Sequence, residues 1–128
     1  TEKEKPVVDE SIQKLKIKTT GPEQITNYLS GGNQQKIVIA KWLSIHPQIL
    51  VMVEPTRGVD IGAMSEIYEL IRQLARSGMG ILMVSSDMPE VLGMSDRILV
   101  MRNGRIVNEY SRGSVTQRQL LHEVTRSE

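Results

Sequence analysis

The stretch "LSGGNQQK" joins one serine and two glycines, Ser30, Gly31 and Gly32, to a run with helical periodicity. The first N–H groups of a helix have no partner within the helix and carry a partial positive charge, so they attract anions. Glycine lets an anion approach the backbone closely, and a serine hydroxyl adds a donor. Two interpretations stay open: a phosphate-binding helix start, or a helix that serine merely caps after a glycine turn.

A second stretch, "ILVMVEPTRGVD", ends an apolar run with a carboxylate, Glu54. In open α/β sheets, ligands bind beyond the carboxyl ends of the parallel strands. A carboxylate there can orient and deprotonate an attacking water, or it can be a solvated glutamate at the end of a strand. Asp60 likewise either belongs to a site or caps a helix that begins near Ile61.

Helical periodicity predicts the elements that carry these stretches. An amphipathic helix is expected over residues 8–17, with Asp9 and Glu10 in its first turn. The helix after Gly32 ends at His46-Pro47, because proline disfavours helix in the residue before it. Its apolar residues surround much of its surface, so we expect it to be well buried. Further helices are expected at residues 64–75, after Ser86 or Asp87, and after the capping-box pair Thr116 and Gln119.

Two continuous apolar runs, residues 49–53 and 80–85, predict strands of a parallel sheet that is covered on both faces. With the helix between them they form a βαβ unit. A third strand at residues 97–101 precedes Asn103-Gly104, a pair that favours a two-residue hairpin turn. The expected fold class is therefore α/β.

Composition restricts the class of function. The 128 residues include 16 Lys+Arg and 15 Asp+Glu, and the aromatic fraction is 3%. Such a balance argues against a nucleic-acid-binding protein, which needs a basic surface or stacking aromatic side chains. Cysteine is absent, which excludes disulfides and thiolate metal sites. His46 and His122 have no ligand-spaced partners, so no metal site is predicted.

Together, "LSGGNQQK" and "EPTRGVD" resemble the signature and the Walker B to D-loop motifs of the ATP-binding cassette (ABC) family. The stretches "SEIYELIRQLA" and "SSDMPEVLGMSDRILVMRNGR" make the chain similar to the second cassette of ATPases that energise ribose, galactose and xylose import. The resemblance runs from Val8 to the C-terminal helix. It implies a three-layer P-loop NTPase-type core with a mainly parallel sheet, of which residues 1–128 form the C-terminal part of one domain.

The resemblance also implies a role for each residue of the signature. Ser30, Gly31 and Gly32 would contact the γ-phosphate of an ATP that a different cassette mainly holds. Asn33 stands where many cassettes have glutamine, and it is counted with these nucleotide-binding residues. The implied cofactors are ATP and Mg²⁺, both only in the complete composite site.

In the second motif, Glu54 matches the general base next to the Walker B strand, and Asp60 matches the D-loop aspartate at the interface between two cassettes. Ser86 occupies the switch position, where transporting cassettes usually have histidine. Val53 replaces the Walker B aspartate, and valine cannot ligate Mg²⁺. The sequence contains no GxxxxGK[ST] motif, so the resemblance is to a partial cassette without the Walker A strand and loop.

The favoured function is the ATP-binding subunit of an ABC sugar importer, which contributes the signature and D-loop to a composite site that couples ATP hydrolysis to monosaccharide uptake. The isolated chain is then expected not to hydrolyse ATP. The implied partners are another ABC cassette, transmembrane permease subunits and, indirectly, a periplasmic or extracellular sugar-binding protein, but no nucleic acid. The implied location is cytoplasmic, peripheral at the inner face of the membrane through the permease subunits.

Two alternatives stay open. One is a catalytically inactive regulatory or interaction module derived from an ABC cassette, which Val53 and Ser86 favour. The other is a cassette that acts on nucleic acid. That class is expected to carry a coiled-coil insertion or a basic linker, and the sequence shows neither.

Overall fold

A computed structural model of the chain describes residues 4–125, which form two compact units that divide after Leu82. None of the helices described there is long and apolar enough to cross a membrane. The elements in chain order are α1 (Lys5–Lys14), a 3₁₀ helix (Thr26–Tyr28), α2 (Gly31–Leu43), β1 (Ile49–Val53), α3 (Ile61–Arg76), β2 (Gly80–Val84), α4 (Met88–Met94), β3 (Arg97–Arg102), β4 (Arg105–Ser111) and α5 (Gln117–Thr125).

The first helix begins earlier than the sequence predicted, at Lys5 instead of residue 8. Pro6 lies in its first turn, where the missing N–H costs nothing and the fixed φ of proline suits a helix. The prediction that Asp9 and Glu10 lie in the first turn is therefore wrong, because that turn contains no acidic residue.

Helix α2 begins at Gly31 with Ser30 as its N-cap, which confirms the predicted helix start. The expectation that this helix is well buried is wrong. Only Gly32, Lys36 and Ile39 are buried, whereas Trp42 is 55% exposed. The apolar residues of α2 surround the helix, but the described part of the chain covers only one side of it.

Strands β1 and β2 are hydrogen-bonded neighbours in a two-stranded sheet. The backbone N–H of Gly80 donates to the carbonyl of Gln48 at 2.9 Å, so both strands start at the same end and run parallel. Helix α3 connects them, which confirms the predicted βαβ unit.

This sheet is covered on one face only, so the prediction that both faces are covered is wrong for the described residues. Burial alternates along β1, where Leu50 and Met52 are buried and Val51 is 58% exposed. The hydrophobic core of the first unit comes from α2, β1, α3 and the residues after α1: Leu15, Ile17, Ile39, Leu50, Met52, Ile67, Leu70 and Ile71.

In the second unit, β3 and β4 form an antiparallel hairpin. Asn103 and Gly104 have φ values of 51° and 75°, the positive values that the predicted two-residue turn requires. Buried residues of the hairpin and α5 pack with side chains of α4 in one core, which contains Ile98, Val100, Val115 and Leu120.

The predicted helix caps of the second unit form. Asp87 caps α4, since its Oδ1 accepts the backbone N–H of Glu90 at 2.8 Å. Before α5, the N–H of Thr116 donates to Gln119 Oε1 at 2.8 Å, and the N–H of Gln119 donates to Thr116 Oγ1 at 3.3 Å.

Candidate functional site

Ser30 caps α2 through its hydroxyl oxygen. This Oγ accepts from the backbone N–H of Asn33 at 3.4 Å and from Asn33 Nδ2 at 2.8 Å. A serine hydroxyl has two acceptor lone pairs and one donor hydrogen. The two bonds use its acceptor capacity, which leaves the O–H of this exposed residue available as a donor to a group outside the chain.

Helix α2 begins with the backbone N–H groups of Gly31 and Gly32. The first bond of the helix runs from the N–H of Gln34 to the carbonyl of Ser30 at 2.9 Å, so the N–H groups before it have no helical acceptor. Gly31 is half-buried and Gly32 is buried. The donors nearest to solvent are therefore the Ser30 O–H and the Gly31 N–H, and together they suit an anion.

Both glycines also lie against the segment that follows β1. A methyl group on Gly31 would lie 2.8 Å from the carbonyl oxygen of Gly58. A methyl group on Gly32 would lie 2.4 Å from the Cβ of Ala63 and 3.7 Å from Val59 Cγ1. Carbon atoms in contact are about 3.5–4.0 Å apart, so Gly32 has no room for a side chain. The structure thus brings the signature and the start of α3 together.

The side chain of Asn33 is held within the fold. Its Oδ1 accepts the backbone N–H of Lys18 at 2.9 Å, while its Nδ2 donates to Ser30 Oγ. Both the oxygen and the nitrogen of the Asn33 amide are therefore hydrogen-bonded to other residues of this chain. The position of Asn33 in the motif indicated a nucleotide contact, and it gave no sign of this link to the residues after α1.

Glu54 follows β1 in the left-handed region, with φ at 49°. This conformation is costly for a residue with a side chain, and such residues concentrate at functional sites. The residues after it hold the backbone in place, because Pro55 and Thr56 are buried and the N–H of Arg57 donates to the Glu54 carbonyl at 3.1 Å. The half-buried carboxylate lies at the carboxyl end of the strand, as the sequence predicted.

Asp60 caps α3, since its Oδ1 accepts the backbone N–H of Ala63 at 2.9 Å. The sequence-based expectation of a helix cap before Ile61 is confirmed. Ala63 is also the residue against which Gly32 packs. The caps of α2 and α3 therefore belong to two helix starts in direct contact.

Ser86 lies in the second unit, after β2, and is exposed. In the first unit, the side chain at the Walker B position belongs to Val53, which offers no oxygen to a cation. Within residues 4–125, no group of three or more His, Asp and Glu side chains is arranged to hold a metal ion. This chain's own residues therefore do not fit Mg²⁺, whereas the donors of Ser30 and Gly31 fit a phosphate.

Sequence reasoning missed Lys36, the last residue of "LSGGNQQK". Its side chain is only 4% exposed, and its Nζ lies 2.7 Å from Glu66 Oε2 on α3. This hydrogen bond and the positive charge of Lys36 lower the pKa of Glu66, with a further contribution from Lys18. A lysine in an amphipathic pattern usually lies in solvent, so nothing in the sequence indicated its burial.

No model of a protein family matches the chain, but individual proteins do. A ribose import ATP-binding protein of Clostridium tetani is 53% identical over 120 residues, which are 94% of this chain and 24% of that protein. A xylose import ATP-binding protein of Histophilus somni is 52% identical over 118 residues, which are 92% of this chain and 23% of that protein. The chain spans about a quarter of the length of these relatives.

Solved structures show the same fold. A dimeric bacterial ABC transporter cassette superposes with a TM-score of 0.72 at 25% identity, over 86% of this chain and 47% of that one. A post-hydrolysis state of a cassette with bound ADP and phosphate superposes with a TM-score of 0.73, also at 25% identity and over the same shares. The α/β fold of the P-loop NTPase type is thereby confirmed. With its signature and Walker B stretches on this fold and about half of its residues identical to sugar import ATP-binding proteins, the chain belongs to the ATP-binding cassette family.

Proposed function

We propose that this chain is the C-terminal part of one ABC ATPase domain in a sugar importer. It supplies the signature, Ser30 to Asn33, and the D-loop residue Asp60 to a composite ATP site whose phosphate loop belongs to another cassette. One observation carries the proposal: at the start of α2, Asn33 occupies the acceptor lone pairs of the Ser30 hydroxyl, which leaves its O–H available to donate to a ligand beside the Gly31 N–H. The similarity to ribose and xylose import proteins supports the sugar class.

The chemistry follows from donors that the fold holds in place before the reaction. Bound ATP would supply the phosphoryl group that is transferred to water. Ser30 O–H and Gly31 N–H donate to its oxygens and stabilise the charge that develops during transfer. Glu54, next to the Walker B position, would belong to this chain's own site and not to the ATP at the signature, and there it would accept a proton from an attacking water. This chain supplies no Mg²⁺ ligand at the Walker B position, because the side chain of Val53 cannot bind a cation.

A composite ATP site in a sugar importer requires partner proteins. The second cassette supplies the phosphate loop, and a dimeric cassette of the same fold is known. Permease subunits would hold the chain at the inner face of the membrane, and a sugar-binding protein would act on it only through them. The alternative, a catalytically inactive regulatory or interaction module, is favoured by one observation, the valine at the Walker B position.

A chimera tests the proposal. In the ribose import ATP-binding protein of Clostridium tetani, this chain replaces the matching segment of 120 residues. The variant Ser30→Asp keeps α2 capped, because aspartate caps a helix as well as serine does. It places a carboxylate against the phosphate, so we expect kcat for ATP hydrolysis to fall about 10²-fold or more, the scale of losing one transition-state donor. The melting temperature should stay at the parental value.

Thr116→Asp is the matched control, since it makes a similar change at the start of α5, which has no proposed role. It should leave turnover at the parental rate. The proposal fails if Ser30→Asp hydrolyses ATP as fast as the parent chimera. A parent chimera that binds ATP and pairs with its partners but does not turn over supports the inactive module instead.

A further inference from the structure

Lys36 joins three segments of the first unit. From α2, its Nζ donates to Glu66 Oε2 on α3 at 2.7 Å and to the carbonyl oxygen of Lys16 at 3.2 Å. Lys16 follows α1 and has a left-handed φ of 50°, so the chain turns sharply at the residue whose carbonyl accepts this bond. A buried ammonium group needs such partners, because burial without them is very unfavourable.

Stability alone does not account for this arrangement. Glu66 is 45% exposed, and its other carboxylate oxygen lies 3.7 Å from Nζ of Lys18, which is 80% exposed. Water therefore screens one side of the ion pair, and exposed pairs contribute little to stability. A buried ion pair can often be replaced by apolar side chains of similar volume without loss of stability, and here the carboxylate that remains after removal of Lys36 is hydrated. The specific contribution of Lys36 is thus to fix the relative positions of the three segments that it joins.

Lys36 adds a directional contact to the packing of α2 against α3. Gly32 packs against Ala63, and four residues further along α2, Lys36 reaches Glu66, which lies three residues beyond Ala63. Residues three or four apart lie on the same face of a helix, about one turn from each other. Apolar packing between two helices is non-directional, whereas the hydrogen bond of Lys36 resists rotation of α2 about its close approach at Gly32.

The same face of α2 is held to the residues after α1. Asn33 accepts the N–H of Lys18, and Lys36 donates to the carbonyl of Lys16. Asn33 also contacts the hydroxyl of Ser30 through its Nδ2. Rotation of α2 would therefore carry Ser30 with it.

We propose that Lys36 is a positioning residue for the signature: by joining α2 to α3 and to the turn after α1, it keeps the donors of Ser30 and Gly31 aligned with the start of α3. The inference rests on the proposed function, because alignment matters only if these donors face a phosphate. Small displacements at a reacting centre are costly, since about 1 Å can reduce a rate about 10²-fold.

The test uses the same chimera and Lys36→Met, which keeps the volume of the side chain and removes its charge. We expect kcat to fall about 10- to 100-fold. KM for ATP should stay near the parental value, because the other cassette mainly holds the nucleotide. The melting temperature should change by no more than about 2 °C. Lys36→Arg, which donates to both acceptors, should restore most of the rate.

Lys14→Met is the matched control. It removes an ion pair of similar length, 2.6 Å to Glu10, that lies within one exposed helix and joins no other element. It should leave kcat at the parental value. If Lys36→Met does not fold, Glu66→Gln weakens the same contact while leaving Lys36 an oxygen acceptor, and it is expected to lower kcat in the same direction but by less.

The outcomes separate the two proposals. A parental kcat in Lys36→Met overturns the positioning role, and so does a loss of kcat that only follows a matching loss of melting temperature. If Ser30→Asp abolishes turnover while Lys36→Met does not affect it, the proposed function stands and only this inference fails. If Ser30→Asp turns over normally, the proposed function fails, and the positioning role of Lys36 fails with it.

Discussion

Replacing Gly32 by alanine should force the two helix starts apart. The added methyl group would lie 2.4 Å from the Cβ of Ala63, against a usual contact of about 3.5–4.0 Å, so α2 and α3 must separate by about 1.1–1.6 Å at this point. Overpacking of this kind costs about 1–3 kcal/mol. Alanine favours a helix over glycine by about 0.5–1 kcal/mol, which leaves a net loss of about 1 kcal/mol from the midpoints and at most about 2.5 kcal/mol.

Unfolding in urea, followed by circular dichroism, measures this loss. Gly93→Ala is the control, because a methyl group on Gly93 in α4 would meet no atom within 4 Å, so this variant should gain stability. In the background of Ala63→Gly, the substitution Gly32→Ala should no longer destabilise, since the opposing methyl group is gone. An equal cost of Gly32→Ala in both backgrounds would refute the contact with Ala63 as its cause.

Two further predictions use the same unfolding assay. His46→Gly should stabilise the chain by up to about 1 kcal/mol, since glycine adopts the left-handed φ of 50° without strain at a cost of about 0.5–1 kcal/mol in backbone entropy, and an unchanged free energy of unfolding would contradict this. The pKa of Glu66 lies below its ordinary 4.5, so its pair with Lys36 stabilises the fold fully above that pH and loses this contribution as pH falls through the lowered folded value. Glu66→Gln should therefore flatten the acidic decline in stability, and an identical pH profile would exclude this linkage.

The parts of the fold that follow local rules were predictable. Ser30 and Asp60 were both expected as possible helix caps, and both cap the helices that follow them. Asn103-Gly104 forms the expected hairpin turn. In each case the chemistry lies within a few neighbouring residues, so the sequence contains the whole pattern.

The contacts that assemble the site were not predictable in this way. Gly32 meets Ala63, and Lys36 meets Glu66, across about thirty residues of sequence. No periodicity reveals such pairs. A glycine that leaves room for a neighbouring helix has the same sequence signal as a glycine that leaves room for a ligand. A lysine beside a distant glutamate has the same signal as a solvated one.

Burial was overestimated for a related reason. The apolar surfaces of α2 and of β1 predicted elements covered all round, yet Trp42 and Val51 are more than half exposed. An apolar side chain predicts that something covers it, but not that the covering element lies within residues 4–125. Periodicity therefore found the α-helices and strands, apart from the start of α1, and misjudged how many sides of them are covered.

The two glycines of the signature meet two different requirements. Gly31 is half-buried, next to the exposed hydroxyl of Ser30, so its N–H is available to an anion. Gly32 is buried against Ala63, whose own N–H is held by Asp60. The motif is thus divided along α2: its first residues carry the donors that we propose to face a phosphate, and its later ones hold the helix in place. Because Ala63 packs against Gly32 and its N–H is held by Asp60, a change at Asp60 should move Ser30 although the two side chains belong to different helix starts.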